Sequence, residues 1–236
     1  MTLLRLLSFN IHGGYDLKGR RDLRRVHALL EEYNIDIAVF QEMETRLGRG
    51  GQAEDIHIVA GPERPYHLPG LTVKGDDGWY GNLIVSRYPI VRALVHNLET
   101  TRILEPRNAV DAFIDTPHGL IRVLGTHLSL ASIVRWSEIN NLVRLMKQVE
   151  QETICPLFFM GDLNEWRRPS KLFKFLDEHM TALPCGKTFP SFRPLFHLDR
   201  VWHDGPGVSA RAQVLDTKDA KSLSDHLPVL VEITAL

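Results

Sequence analysis

Apolar positions along the chain fall into two patterns, short continuous runs and stripes that recur every three to four residues. The runs predict strands at residues 3–9, 35–40, 82–85, 91–98, 155–160, 201–202 and 227–233. The stripes predict helices over residues 20–33 and 171–179. A third stripe predicts a helix that buries Trp136, Ile139, Val143, Met146 and Val149. Residues 48–69 are rich in glycine, proline and charge, and predict a loop.

One hairpin is indicated by turn chemistry. Residues 109–114 and 120–126 are separated by Asp115-Thr116-Pro117-His118-Gly119, which is dense in turn formers. Strands therefore pair as hairpins in some places and alternate with helices in others. This favours an α/β (α+β) fold with mixed sheets covered by helices over a purely parallel sheet. No low-complexity linker interrupts the pattern, so we expect residues 1–236 to form a single domain.

Composition places the chain among ordinary globular proteins. It has 236 residues, 44% of them hydrophobic, and a formal net charge of -1. A protein that grips nucleic acid through many phosphates usually has a basic surplus, so tight non-specific binding is not indicated. Two local basic runs are candidates for phosphate contacts or are solvated helix faces. They are Lys18, Arg20, Arg21, Arg24 and Arg25, and Arg167, Arg168, Lys171 and Lys174.

Cysteine usage and the N-terminus bear on location. Cys155 and Cys185 lie in neither a CxxC pair nor a metal-ligand spacing, which fits a reducing compartment. The apolar N-terminus lacks a basic segment and a cleavage site, and no stretch approaches a membrane span. We therefore expect a cytoplasmic protein that does not span a membrane, and nothing in the sequence implies a stable protein partner.

Carboxylates, amides and imidazoles collect at the ends of the predicted strands. They are Asn10, Glu42, His127, Asp162, Asn164, Asp199, Asp225 and His226. Some end a strand and others begin one, and in a mixed sheet these ends meet at the same edge. Such a set predicts an oxygen-rich site for Mg²⁺ or Mn²⁺ beside proton-transfer groups. Zinc is less favoured, because the sequence offers no thiolate and no close histidine pair.

The spacing of Asp162 and Asn164 is informative by itself. Side chains two apart in an extended strand end point to the same side. The carboxylate could accept a proton from water, and the amide could donate to a phosphate oxygen without adding negative charge.

Eight segments in order resemble the endonuclease/exonuclease/phosphatase superfamily, which includes deoxyribonuclease I, exonuclease III-type abasic-site endonucleases, neutral sphingomyelinases and inositol-polyphosphate phosphatases. The segments are Ser8-Phe9-Asn10, Gln41-Glu42, Gly81-Asn82-Leu83-Ile84-Val85-Ser86, Arg107, Thr126-His127-Leu128, Gly161-Asp162-Leu163-Asn164, Leu198-Asp199-Arg200-Val201 and Ser224-Asp225-His226. The resemblance implies a four-layered α/β/β/α sandwich, deoxyribonuclease I-like, with two packed mixed sheets flanked by helices. It also implies in-line attack of water on phosphorus.

The resemblance further implies a role for each matching residue. Glu42 would bind one or two Mg²⁺ or Mn²⁺ ions, with Asn10 and Asp225 close to the metal. Asp162 would orient or deprotonate the attacking water, and Asn164 would hold a phosphate oxygen.

The remaining matches concern the phosphate. His226 would contact the scissile phosphate, with Asp199 fixing its tautomer and charge. His127 and Arg107 would stabilise the phosphate from the other side, although Arg107 could simply pair with Glu105.

One position departs from the family pattern. In deoxyribonuclease I the histidine that corresponds to His127 is backed by a glutamate near the strand of Asn82. Residues 78–82 read Gly-Trp-Tyr-Gly-Asn here, with no acid. Tyr80, Asn82 or no residue is left to support His127, which favours phosphate binding over a general-acid role.

Three hypotheses about function stay open, two for an enzyme and one for a non-catalytic protein. The near-neutral charge and compact length favour a phosphodiesterase or phosphatase that acts on a small molecule or a lipid head group. A DNA or RNA endo- or exonuclease is the alternative, because the two basic runs could follow a nucleic-acid backbone. A non-catalytic binding module is the remote alternative, because the expected metal and base residues are all present.

Overall fold

The computed structural model of the protein describes residues 3–99, 105–150 and 152–236. Within them the chain forms twelve strands, five α-helices and two short 3-10 helices. The strands are β1 (Leu4–Asn10), β2 (Ile37–Glu44), β3 (Tyr66–Gly75), β4 (Gly78–Ser86), β5 (Ile90–Asn97), β6 (Asn108–Thr116), β7 (Gly119–His127), β8 (Leu157–Asp162), β9 (Thr181–Leu183), β10 (Asp199–His203), β11 (Ser209–Val214) and β12 (Val229–Ala235). The helices are α1 (Leu23–Glu32), α2 (Asp55–Ala60), α3 (Ser132–Glu150), α4 (Lys171–Asp177) and α5 (Lys218–Lys221).

The strands form two six-stranded mixed sheets. The first has the order β11-β12-β1-β2-β4-β3, and the second has the order β5-β6-β7-β8-β10-β9. Each sheet has one parallel pair at its centre, β1 with β2 and β7 with β8, and its other pairs are antiparallel. A helix, α1 or α3, joins the two strands of each parallel pair, as a parallel connection requires.

Three apolar layers hold these elements together. One lies between the first sheet and α1, where Phe40 packs near Leu30. The second lies between the two sheets, where Val39 and Met160 are fully buried. The third lies between the second sheet and helices α3 and α4, around Trp202. This order confirms the expected four-layered α/β/β/α sandwich.

The central strands lack polar alternation because both of their faces are covered. Residues 37–40 and 157–160 are buried throughout. The edge strands β5 and β11 instead alternate between partly buried and exposed positions. The continuous runs in the sequence therefore predicted the central strands correctly, because burial on both faces requires them.

The loop expected over residues 48–69 is wrong in part. This stretch contains α2 and the start of β3, which both depend on tertiary contacts. Val59 and Ala60 are buried in the layer beneath α1. The fully buried Arg64 donates to the carbonyl oxygens of Ile35, Ala60 and Leu30. These long-range bonds order a segment whose local composition is typical of a loop.

The stripe expected on α3 is also corrected at one position. Ile139, Val143, Met146 and Val149 are buried as expected, whereas Trp136 is 42% exposed and packs against Phe175 at the surface. Among the described residues, no helix combines the length and the apolar character needed to cross a bilayer.

Candidate active site

Three neighbouring strands of the second sheet place their polar residues side by side. His127 at the end of β7 pairs in register with Asp162 at the end of β8, and Asp162 pairs with Asp199 at the start of β10. Gly161 permits this close approach, because a Cβ atom there would lie 2.0 Å from the carbonyl oxygen of Thr126. Strand register therefore brings together two acids and one histidine that are far apart in sequence.

Two further side chains reach the site from left-handed backbone positions. Glu42 has φ +60° at an irregularity within β2, and Asn164 has φ +49° just after β8. Non-glycine residues adopt this conformation rarely and at a cost, and such residues cluster at functional sites. The extended alternation expected for Asp162 and Asn164 is therefore wrong. The two residues are aligned by a turn instead. In this turn the backbone N–H of Asn164 donates to Asp162 Oδ1 at 2.9 Å.

Asp162 lies at the centre of the site. Its Oδ2 accepts a hydrogen bond from Asn10 Nδ2 at 3.0 Å. The same oxygen lies 3.5 Å from His127 Nε2 and 3.6 Å from His226 Nε2. Three groups from three other segments of the chain thus converge on one buried carboxylate oxygen.

His226 and Asp199 form a buried pair. His226 Nδ1 lies 2.8 Å from Asp199 Oδ2, so Nε2 faces Asp162. Burial lowers the pKa of His226, but the charges of Asp199 and Asp162 outweigh it and raise the pKa to about 10. His226 is therefore a charged imidazolium at neutral pH. Asp199 Oδ1 is buried without a hydrogen-bond partner.

His127 is supported by a residue that sequence reasoning did not name for this role. In the described structure, neither Tyr80 nor Asn82 forms a hydrogen bond with His127. Instead, the side-chain Nδ2 of Asn164 lies 3.0 Å from His127 Nε2 and also donates to the Leu128 carbonyl oxygen. Burial lowers the pKa of His127, and the charge of Arg107 adds to this effect against that of Asp162. His127 and His226 thus have opposite charge preferences.

Arg107 forms the ion pair with Glu105 that the sequence left open as an alternative, and its charge also acts on His127. It pairs with Glu105 at 2.6 Å, yet it is 91% buried, since its exposed fraction is 9%. Its Nε atom is buried without a partner, and its charge acts on His127. The residue is therefore close enough to influence the site while one donor is left unused.

Glu42, Asn10 and Asp225 meet on the other side of Asp162. Asn10 Nδ2 donates to Glu42 Oε1 at 2.9 Å. Glu42 Oε2 and Asp225 Oδ1 lie 3.6 and 3.7 Å from His12 Nδ1. Burial raises the pKa of Glu42, but contacts with His12, His127 and Asn10 outweigh it and lower the pKa to about 2. Glu42 is therefore ionised at any physiological pH.

The donor set fits a hard divalent cation. Four carboxylates, those of Glu42, Asp162, Asp199 and Asp225, surround the site, and such oxygen ligands suit Mg²⁺ or Mn²⁺. Possible ligand atoms of Asp162, Asp199 and His226 also lie within 4.8 Å of one another. In that group the Nδ1 atom of His226 is already engaged with Asp199 Oδ2.

Two neighbours of the site escaped sequence reasoning. His12 faces both Glu42 and Asp225. In the sequence, only its position two residues after Asn10 indicated that it lies near the site. Glu138 on α3 is buried and accepts from both Ser129 N and Ser129 Oγ. Arg135 binds the Ser129 carbonyl oxygen and Glu165. These hydrogen bonds hold together the loops that follow His127 and Asn164. No local sequence motif predicts them.

A cleft of about 500 Å³ opens beside Glu42. His12, Tyr15, Glu44 and Tyr80 line it together with the backbone of Gly50. Burial and the charge of Glu42 raise the pKa of Tyr80, so its hydroxyl keeps its proton. The cleft is large enough for a small polar group next to Glu42.

Comparison with known proteins agrees with this geometry. Residues 7–226 match the model of the family described as Endonuclease/Exonuclease/phosphatase family. The chain is 27% identical over 249 residues to "Uncharacterized protein YbhP" of Escherichia coli (strain K12), with 97% of this chain and 95% of that protein covered.

Two solved structures share the fold at low sequence identity. The mannosyl-6-phosphatase of Bacteroides thetaiotaomicron superposes with a TM-score of 0.79 at 17% identity, covering 98% of this chain and 99% of that one. TDP2 of D. rerio, complexed with single strand DNA product, superposes with a TM-score of 0.73 at 15% identity and covers all of both chains, 100% each.

Proposed function

The chain belongs to the Endonuclease/Exonuclease/phosphatase family, and from that premise we propose that it is a Mg²⁺- or Mn²⁺-dependent hydrolase of phosphoester bonds. The observation that carries the proposal is the convergence of Asn10, His127 and His226 on Asp162 Oδ2. A buried carboxylate held between two imidazoles and a set of oxygen ligands has what water attack on phosphorus needs.

Asp162 is the proposed base or orienting group for the attacking water. Asn10 and the Asn164 backbone N–H each bond one of its two oxygens, which fixes the carboxylate plane. The Asn164 side-chain amide donates one N–H to the Leu128 carbonyl oxygen, and we propose that its second N–H turns from His127 Nε2 to a phosphate oxygen when substrate binds. Correct placement of these groups supplies catalysis mainly through alignment.

His226 and His127 are proposed to contact the same phosphate in different charge states. His226, held charged by Asp199, would neutralise negative charge on the scissile phosphate. His127, whose pKa is lowered, would contact the phosphate as a neutral imidazole. Arg107 lies on that side and is proposed to add the second positive charge, through its unpartnered Nε or after release from Glu105.

Glu42, Asn10 and Asp225 are the proposed metal-binding residues. When bound there, a divalent ion would polarise the phosphoryl oxygen and neutralise charge that develops during displacement. Asn10 bonds both Glu42 and Asp162, so it ties the metal-binding side to the proposed base. Proteins of this family are generally dependent on divalent metal, which supports the same assignment.

We propose a small or lipid-derived phosphoester as the substrate, cleaved as a mono- or diester. The cleft beside Glu42 has a volume of about 500 Å³, which suits a small polar group. The net charge of -1 also favours a small substrate, because proteins that bind nucleic acid through many phosphates usually have a basic surplus. A structural neighbour that is a mannosyl-6-phosphatase supports a phosphatase of this type.

A nuclease is the second candidate, and one surface feature favours it. Arg167, Arg168 and Lys171 are exposed just after Asn164, where a nucleic-acid backbone could pass. TDP2, which shares the fold, has been seen with single strand DNA product. A nuclease with several phosphate contacts should lose affinity steeply as salt rises.

One experiment separates these possibilities. Hydrolysis of bis-(p-nitrophenyl) phosphate, p-nitrophenyl phosphate and labelled plain or abasic DNA should be measured side by side with Mg²⁺, Mn²⁺ or EDTA. We expect a small ester to be cleaved with either metal and not with EDTA. DNA cleavage that vanishes with EDTA and falls with salt would establish the nuclease instead. No turnover on any substrate would overturn the proposal and favour a binding module.

A further inference from the structure

Large apolar side chains are exposed in the loops and in the first turn of α3 that flank the candidate active site. Ile133, Leu130 and Phe192 are 83%, 68% and 65% exposed. Leu130 lies three residues after His127, and Trp166 lies two residues after Asn164. We call the following set the apolar rim: Leu130, Ile133, Trp166, Phe192, Leu195 and Phe196. Single exposed apolar residues are common, whereas a contiguous group marks an interaction surface.

Ring contacts connect the apolar rim to the site. The Trp166 ring lies 4.9 Å from Phe196 and 5.4 Å from Phe189. Phe189 in turn lies 4.9 Å from the ring of His226. A cleft of about 430 Å³ is lined by both Ile133 and Arg167, which places Ile133 near the residue that follows Trp166. The aromatic part of the rim therefore begins at the active site, and Ile133 lies close to it.

Positive charge surrounds this surface. The exposed cations of the region are Arg167, Arg168, Lys171, Lys187 and Arg193. Within the described parts of the chain, none of these five forms an ion pair. The nearby acid Glu165 is buried and is paired with Arg135 instead. The charge of the rim is therefore open to an external anionic partner.

We propose that the apolar rim docks the protein on an anionic lipid bilayer. Apolar side chains of this kind insert at the interface between head groups and acyl chains, while lysine and arginine side chains face lipid phosphates. A polynucleotide would use only part of the surface, because bases could stack on the three aromatic side chains of the rim but not on Ile133, Leu130 and Leu195. The chain as a whole has no basic surplus, which also disfavours tight binding of a polynucleotide.

The consequence for substrate choice rests on the proposed phosphoesterase function. Docking through the apolar rim would hold the site at the level of the lipid head groups. The substrate would then be a phosphoester carried by a membrane lipid, and the charged His226 would face its phosphate. Binding itself does not depend on hydrolysis and can be measured without it.

Vesicle sedimentation with the full-length protein tests the proposal. The vesicles are phosphatidylcholine alone, or phosphatidylcholine mixed with phosphatidylglycerol, both in EDTA. We expect binding to the mixed vesicles only. Leu130→Ser with Ile133→Ser should abolish it, and each neutralised cation in Arg167→Gln with Arg168→Gln should weaken it by roughly fivefold.

Matched controls come from the far side of the molecule. Ile154 is 95% exposed and precedes β8 at the end opposite Asp162, so Ile154→Ser removes an equally exposed side chain away from the rim. Lys147→Gln does the same for an exposed cation in the last turn of α3. Neither variant should change vesicle binding.

Several results would overturn the docking proposal. They are no sedimentation with the mixed vesicles, equal sedimentation with both vesicle types, or the same loss in Ile154→Ser as in the Leu130 and Ile133 variant. Capture by a single-stranded oligonucleotide without vesicle binding would assign the surface to nucleic acid. Hydrolysis of a soluble phosphoester by the rim variants is measured in a separate assay, so that loss of docking and loss of catalysis can be distinguished. Vesicle binding without any hydrolysis would reject the proposed function and leave docking intact.

Discussion

Two buried clusters of charged residues, one on each side of the second sheet, differ in how completely they are paired. Behind α3, Asp111 accepts two bonds from Arg122 at 2.8 and 2.7 Å and a third contact from His96 at 2.7 Å. In the candidate active site, Asp199 Oδ1, Arg107 Nε and Asn82 Oδ1 are buried without a partner.

The difference separates a fully paired cluster from one that has unused polar atoms, which is what the proposed activity requires. Buried polar groups are normally paired, and an unpaired one costs free energy unless a ligand completes it. The Asp111 cluster balances its carboxylate with a guanidinium and leaves nothing for a ligand. The active-site cluster gathers four carboxylates around two imidazoles of raised pKa, His12 and His226, which leaves room for a cation and a phosphate.

The largest expected effect is on turnover, from Asp162→Asn. The amide cannot accept a proton from water, so kcat on the best phosphoester of the panel should fall by about 10³-fold. The melting temperature should stay level or rise, because one buried negative charge is removed. Asp111→Asn is the matched exchange in the other cluster, and it should leave the kcat of the folded protein unchanged. Near-normal kcat in Asp162→Asn would remove this residue from the mechanism.

The second effect is on stability, from Asp111→Ala. It leaves the Arg122 guanidinium buried without its carboxylate, which should lower the free energy of unfolding by about 3–5 kcal/mol. Urea unfolding measures the change. Asp115→Ala, on an exposed position of the same strand, should change little. A loss equal to that of the control would mean that the cluster does not stabilise the fold.

The third effect is on metal dependence, from Glu42→Ala. The Mg²⁺ concentration for half-maximal activity should rise by at least about tenfold, because a proposed ligand is lost. Glu44→Ala is the control on the same strand, since Glu44 pairs with Arg46 at 2.6 Å and is not a proposed ligand. An unchanged titration in Glu42→Ala would place the ion elsewhere, and the Asp162, Asp199 and His226 group would be examined next.

The smallest effect is the acid dependence of stability. Burial raises the pKa of Asp111, but bonds from Arg122 and His96 outweigh it and lower the pKa below its ordinary value of 3.8. Its contribution to stability is therefore full above 3.8 and is lost as the pH falls through the folded-state pKa. Urea unfolding between neutral pH and strong acid should show a steeper loss for the wild type than for Asp111→Asn. Parallel profiles would contradict this account.

The sequence by itself determined the central strands, the main helices and the kinds of residue in the site. Strands such as residues 157–160 are buried on both faces and so leave a continuous apolar run. Polar residues that interrupt these runs, such as Asp162 and His226, stand out for the same reason. The family resemblance rests on such local segments, and the match over residues 7–226 agrees with it.

Only the tertiary structure decided which of those residues touch. The register between β7, β8 and β10 brings His127, Asp162 and Asp199 abreast, and no local pattern encodes register between distant strands. The ordered stretch around Arg64 depends equally on distant carbonyl oxygens. Hydrogen bonds and charges act over a few ångströms in space and not along the chain, so the partners of these residues exist only once the two sheets have packed.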